Sequence, residues 1–186
     1  EPIVKDVPTI PPPTGAPPQP TVRQSDFDAD GDGFYVFEEF EQAVAALYPS
    51  YQWPANYQVD PTTLLSGYAS AGAQGALFEV GGEYTIIGSR HQCAWEMAWL
   101  DGFREGDEAL MEQSLGQLQT VTLDDPMMTD PDSRNYLKTM FQRASLGDPA
   151  LIQQDVTYNC RRTDFISSVP ATPPIAPSPG AATPGR

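Results

Sequence analysis

Three aspartates alternate with small residues in Asp28-Ala29-Asp30-Gly31-Asp32-Gly33, and a glutamate, Glu39, follows beyond an apolar Phe34-Tyr35-Val36-Phe37 run. Carboxylates at alternate positions can aim at one point only if the chain then turns sharply, and Gly33, lacking a Cβ, permits that turn. The pattern D-x-[DN]-x-[DN]-G-x5-E is satisfied at every specified position. It suits calcium, a hard cation that takes six to eight oxygens. Asp28, Asp30 and Asp32 would supply carboxylates at loop positions 1, 3 and 5. Phe34 would supply its backbone carbonyl at position 7, and Glu39 a bidentate carboxylate at position 12. The register is set by that last residue, because taking Gly31 as the turn glycine would place Phe37, with no side-chain oxygen, at position 12. The bland alternative, a solvated acidic turn, would need five ligands to fall into register through charge bias alone.

Residues 28–48 resemble the EF-hand family, and the resemblance implies one Ca2+ held by Asp28, Asp30, Asp32, Phe34 and Glu39. The departures are specific. Position 9 is Val36, so a ligand there would be water. Position 8 is Tyr35, where the family has an aliphatic residue that pairs with a partner loop. The best second loop, residues 130–141, puts Arg134 at position 5 and Phe141 at position 12, and fails as a site. Pro20 leaves only residues 21–27 for an entering helix. The arrangement therefore looks like the loop-plus-exiting-helix variants of extracellular bacterial proteins, which implies a structural ion rather than a groove-opening switch. Asp26 and Glu38 are expected to be solvated neighbours.

The elements that must position this loop are helices. Phe37, Phe40, Val44 and Leu47 share one helical face before Pro49 stops it. Residues 49–59 read as a loop that packs Trp53 and Tyr57 onto the core. Asp60-Pro61 is an N-cap followed by proline at the first helical position, opening a helix through Leu64, Leu65 and Tyr68. Residues 76–88 carry two signals. Gly81-Gly82 between β-branched and aromatic residues could turn a small hairpin. Leu77, Val80, Tyr84, Ile87, His91, Ala94 and Ala98 recur at spacings of three and four, and the helical reading, continuous with the helix through Trp99, is preferred. Three more helices open at Asp107, at Asp130-Pro131 and at Asp148-Pro149. The expected fold is mainly α, a compact irregular bundle of five or six helices preceded by the acidic loop.

Fourteen of the 20 prolines lie near the two ends. Composition thus divides the chain into a proline-rich tail at 1–20, the calcium loop and exiting helix at 21–48, a helical domain at 49–168 and a second tail at 169–186. The tails are expected to be disordered or extended spacers. A formal charge of −15 repels phosphate backbones, so nucleic acid is not an expected partner. No apolar run is long enough to span a membrane, and since Glu1 rather than Met stands first, any leader or anchor is expected to have been removed or to lie elsewhere. The two cysteines, Cys93 and Cys160, suit one disulfide in an exported protein, with reduced core thiols as the alternative. Closing the long loop between them would contribute about 4 kcal/mol in the chain-entropy model.

The remaining chemistry-bearing residues have plain structural readings. His91, the single histidine, sits on an apolar helix face and reads as packed rather than catalytic. Trp95 and Trp99 at helical spacing read as core. Glu96, Asp101, Glu105, Asp107 and Glu108 read as a solvated helix end. The function expected is an exported, noncatalytic calcium-binding protein, an interaction or accessory module that meets another cell-surface or assembly protein. The alternative is an extracellular enzyme with a structural calcium, for which His91, Glu96 and Asp101 would have to converge in one pocket.

Overall fold

The computed structural model describes residues 27–123, 129–161 and 165. The proline-rich ends and residues 21–26 ahead of the acidic loop lie outside them. The described chain is mainly helical, as its periodicity requires. Helix α1, Phe37–Leu47, buries Phe40, Ala43, Val44 and Leu47 and passes into a 3-10 turn at Tyr48–Ser50, where Pro49 prevents continuation. Helix α2, Pro61–Gly72, starts where Asp60 accepts the Thr62 N–H at 2.8 Å. It approaches α1 so closely that a Cβ on Gly72 would lie 2.5 Å from Cβ of Phe37.

Helix α3, Gly82–Glu105, is the longest and the centre of the bundle, packing against α1, α4 and α6. Helix α4, Glu108–Gln117, opens with Asp107 accepting the Leu110 N–H and runs into a π turn at Leu118–Thr122. Helix α5, Pro131–Ser145, is capped by Asp130 on the Ser133 N–H at 2.7 Å, so residues 130–141 form a helix start and not a second loop. Helix α6, Ala150–Asn159, begins one residue beyond the expected proline, with Asp148 accepting the Ala150 N–H.

Ile87, Met97, Trp95 and Trp99 of α3 meet Phe40 and Val44 of α1, Met140 and Phe141 of α5 and Ile152 of α6, all essentially inaccessible to water. Each such side chain contributes about 1.5–3 kcal/mol by leaving water. That burial, more than helix propensity, orders the bundle.

Residues 76–81 depart from both sequence readings, while 82–88 are helical and continuous with the helix through Trp99, as the preferred reading has it. Strand β2, Phe78–Glu79, is neither a hairpin arm nor helix; it pairs antiparallel with strand β1, Phe34–Tyr35, of the acidic loop, with Phe34 opposite Glu79 and Tyr35 opposite Phe78. The helix begins only at Gly82, because Gly81 takes φ 101°, a left-handed conformation that breaks the helical path. The helical spacing of Leu77 and Val80 with Tyr84 was coincidental over so short a segment.

Candidate metal centre

The acidic loop is built by its own aspartates. Both Asp28 oxygens accept backbone N–H groups, from Gly31 at 2.9 Å and Gly33 at 3.0 Å, closing the chain over the first ligand position. Asp30 accepts the Asp32 N–H and Asp32 accepts the Phe34 N–H at 2.8 Å, two further Asx turns. Gly31 and Gly33 lie at φ 73° and 87°, conformations that a Cβ disfavours. The result brings one carboxylate oxygen of each of Asp28, Asp30 and Asp32 within 4.8 Å of the other two. Three like charges at that spacing repel unless a cation joins them, and an all-oxygen, partly exposed donor set is the chemistry that hard divalent ions select.

The other two expected ligands are placed differently. Val80 donates its N–H to the Gly33 carbonyl at 3.0 Å, and the next β1–β2 partners are Tyr35 and Phe78. Alternation along an antiparallel pair therefore turns the Phe34 N–H and C=O away from β2, toward the loop, where the N–H meets Asp32. Glu39 stands in the first turn of α1, and its Oε2 accepts the Val36 N–H at 3.0 Å. It caps its helix and is not part of the three-carboxylate group. The structure thus unites Asp28, Asp30 and Asp32, directs Phe34 toward them and holds Glu39 at the helix start beside the loop.

Two anchors of this loop were not found in the sequence. One is β2, a two-residue strand outside any second loop, which pairs with the acidic loop. The other is Glu83, buried in the first turn of α3, whose Oε2 accepts the Gly81 N–H at 2.9 Å and whose carboxyl lies beside the Tyr35 hydroxyl. Burial, reinforced by the charges of Glu83 and Asp28, raises the Tyr35 hydroxyl above its ordinary range, so it remains a donor. Burial also raises the Glu83 carboxyl, against the opposing effect of the N–H groups and the hydroxyl beside it.

His91, Glu96 and Asp101 go to three different sets of partners. His91 is inaccessible; Nε2 lies 2.7 Å from the Gln52 carbonyl, which also accepts the Trp95 indole N–H at 2.9 Å. Donation from Nε2 fits that acceptor, and the rings of Tyr51, Trp53 and Trp95 meet the imidazole edge-on. Burial, partly offset by the Gln52 carbonyl, lowers the His91 pKa to about 4, so the ring is neutral. Asp101 is bonded by the Tyr57 hydroxyl and Arg104. Glu96 overturns its reading as a solvated charge: it is wholly buried and bonded by Gln92 at 2.7 Å. Glu105, Asp107 and Glu108 are exposed as expected.

Cys93 of α3 and Cys160 at the C-cap of α6 are bridged, with Cα atoms 5.5 Å apart. Cys160 stands just beyond the helix, in an extended conformation. No helix among the described residues is long and apolar enough to cross a membrane. Compared with known proteins, the chain matches no protein-family model, no curated protein and no solved structure.

Proposed function

We propose that the chain binds one Ca2+ in the 28–39 loop, through Asp28, Asp30, Asp32, the Phe34 carbonyl and Glu39, in the manner of a half EF-hand. The observation that carries this reading is the convergence of the three aspartate carboxylates around a turn of two left-handed glycines. When bound, the ion neutralises that repulsion and recruits Glu39, which lies at the start of the same helix. Its role is structural, since the loop is tied through β2, and through Tyr35 packed beside Glu83, to the N-terminal end of α3 rather than to a hinge. The chain is an exported, noncatalytic module that acts as an interaction or accessory protein at the cell surface; its acidity and its disulfide support that assignment.

Calorimetric titration of the full chain with calcium tests the proposal. One site is expected, with a dissociation constant of about 10⁻⁴–10⁻³ M, as in extracellular modules. Asp28→Ala and Glu39→Gln should each abolish it. A stoichiometry of two, or unchanged binding in both variants, refutes the assignment.

A further inference from the structure

Two carboxyl groups meet inside the protein, and neither makes an ion pair with a cationic side chain among the described residues. Glu96 lies mid-α3, wholly inaccessible, and Asp155 lies on α6, 9 % exposed. One oxygen of each falls, with Sγ of Cys160, inside a 4.8 Å group. Cys160 is committed to its disulfide, so this group has no thiolate to offer a metal. Gln92 on α3 donates to Glu96 at 2.7 Å and lies 3.5 Å from Asp155, while Asn159 on α6 donates to Asp155 at 2.9 Å. From α5, Tyr136 faces both carboxyls, and the Cys160 sulfur closes the group 4.0 Å from Glu96 Oε2. None of these neighbours carries positive charge.

Two carboxylates so placed in a low-dielectric interior cannot both be ionised. We propose that a single proton shared between Glu96 and Asp155 clasps α6 to α3, and that its loss as the solution becomes alkaline releases α6 while the Cys93–Cys160 bridge keeps the helix tethered. The pair lies across the α3–α6 contact, and the disulfide spans the same two elements at the helix end. The fold thereby holds a pH-gated latch with a covalent leash.

The direction of the effect is fixed. Burial, then the neighbouring Asp155 charge, raise the Glu96 carboxyl well above its ordinary value. The docked state therefore holds a proton that the undocked state has lost. Stability from this pair is complete below the ordinary glutamate range and declines as pH rises through the raised value.

Amide hydrogen exchange on the oxidised full chain, with chelator present and corrected for intrinsic rates, tests the latch between about pH 5 and pH 9. One proton released per opening makes the opening constant of 150–159 rise about tenfold per pH unit, while α1 stays level. Glu96→Gln, a neutral isostere that still donates to Asp155, should flatten that slope. An equal slope in Glu96→Gln, or none in the native chain, overturns the proposal. If that variant does not fold, infrared spectra of the native protein decide. A protonated-carboxyl stretch at neutral pH that vanishes at alkaline pH, together with loss of α6 protection, supports the latch. Absence of that band at neutral pH overturns it.

Discussion

The hydroxyl of Tyr35 lies beside the buried carboxyl of Glu83, which brings the acidic loop against the first turn of the longest helix. Tyr35 is itself inaccessible and its backbone pairs with Phe78, next to the Val80 N–H bond to the Gly33 carbonyl, so this residue sits at the centre of the loop's attachment to the bundle. A two-residue strand and a helix start thus hold the acidic loop against the bundle.

Tyr35→Phe keeps the ring and removes only the hydroxyl, a polar group buried beside Glu83. Chemical denaturation should show a loss of about 1–2 kcal/mol, the cost of an unmet buried polar group. Calcium affinity should fall severalfold in the same variant. Wild-type values for both would mean that the hydroxyl does not support the loop.

Calcium should act locally. At a concentration equal to the dissociation constant, binding stabilises by only RT ln 2, about 0.4 kcal/mol, too little to invert a domain. Chelation should therefore lower amide protection in 28–47 and in the paired segment 78–84. Loss of protection throughout 90–160 would make calcium a global switch.

No free thiol should titrate in the unreduced protein under denaturant, since both cysteines are bridged. Reduction should cost about 4 kcal/mol of stability by the chain-entropy estimate. Two reactive thiols would remove the bridge and much of the case for export.

His91 should make the fold sensitive to acid. Its folded pKa is about 4 against 6.5 in an unconstrained chain. Its contribution is therefore intact above 6.5 and is lost as pH falls through that window, by roughly 3 kcal/mol in all. His91→Phe should remove this increment, seen as a shallower decline of denaturation midpoint below neutrality. An unchanged decline would place the acid sensitivity elsewhere. Glu96 acts with opposite sign, and above 6.5 its slope stands without the histidine's.

The parts of this fold legible in the sequence are those fixed by adjacent residues. Asp60, Asp107 and Asp130 announce helix starts because a cap acts on an N–H two or three residues away. The spacing of Asp28, Asp30, Asp32 and Gly33 is likewise local. Apart from the Cys93–Cys160 bridge, which two lone cysteines announce, contacts between distant residues were not legible. A strand of only Phe78 and Glu79 is too short to show an alternating pattern, and its partner lies some forty residues earlier. Glu96 looked like surface because α3 is covered on most sides, which hides its orientation from hydrophobic periodicity. Asp155, the group that explains its burial, lies on another helix.

Anomalous diffraction from crystals of the full chain grown in calcium tests the central claim most directly. The account predicts one peak in the 28–39 loop, with oxygens of Asp28, Asp30, Asp32, Phe34 and Glu39 at about 2.3–2.6 Å. No peak in that loop at saturating calcium, or a peak between Glu96 and Asp155 in its place, would contradict it.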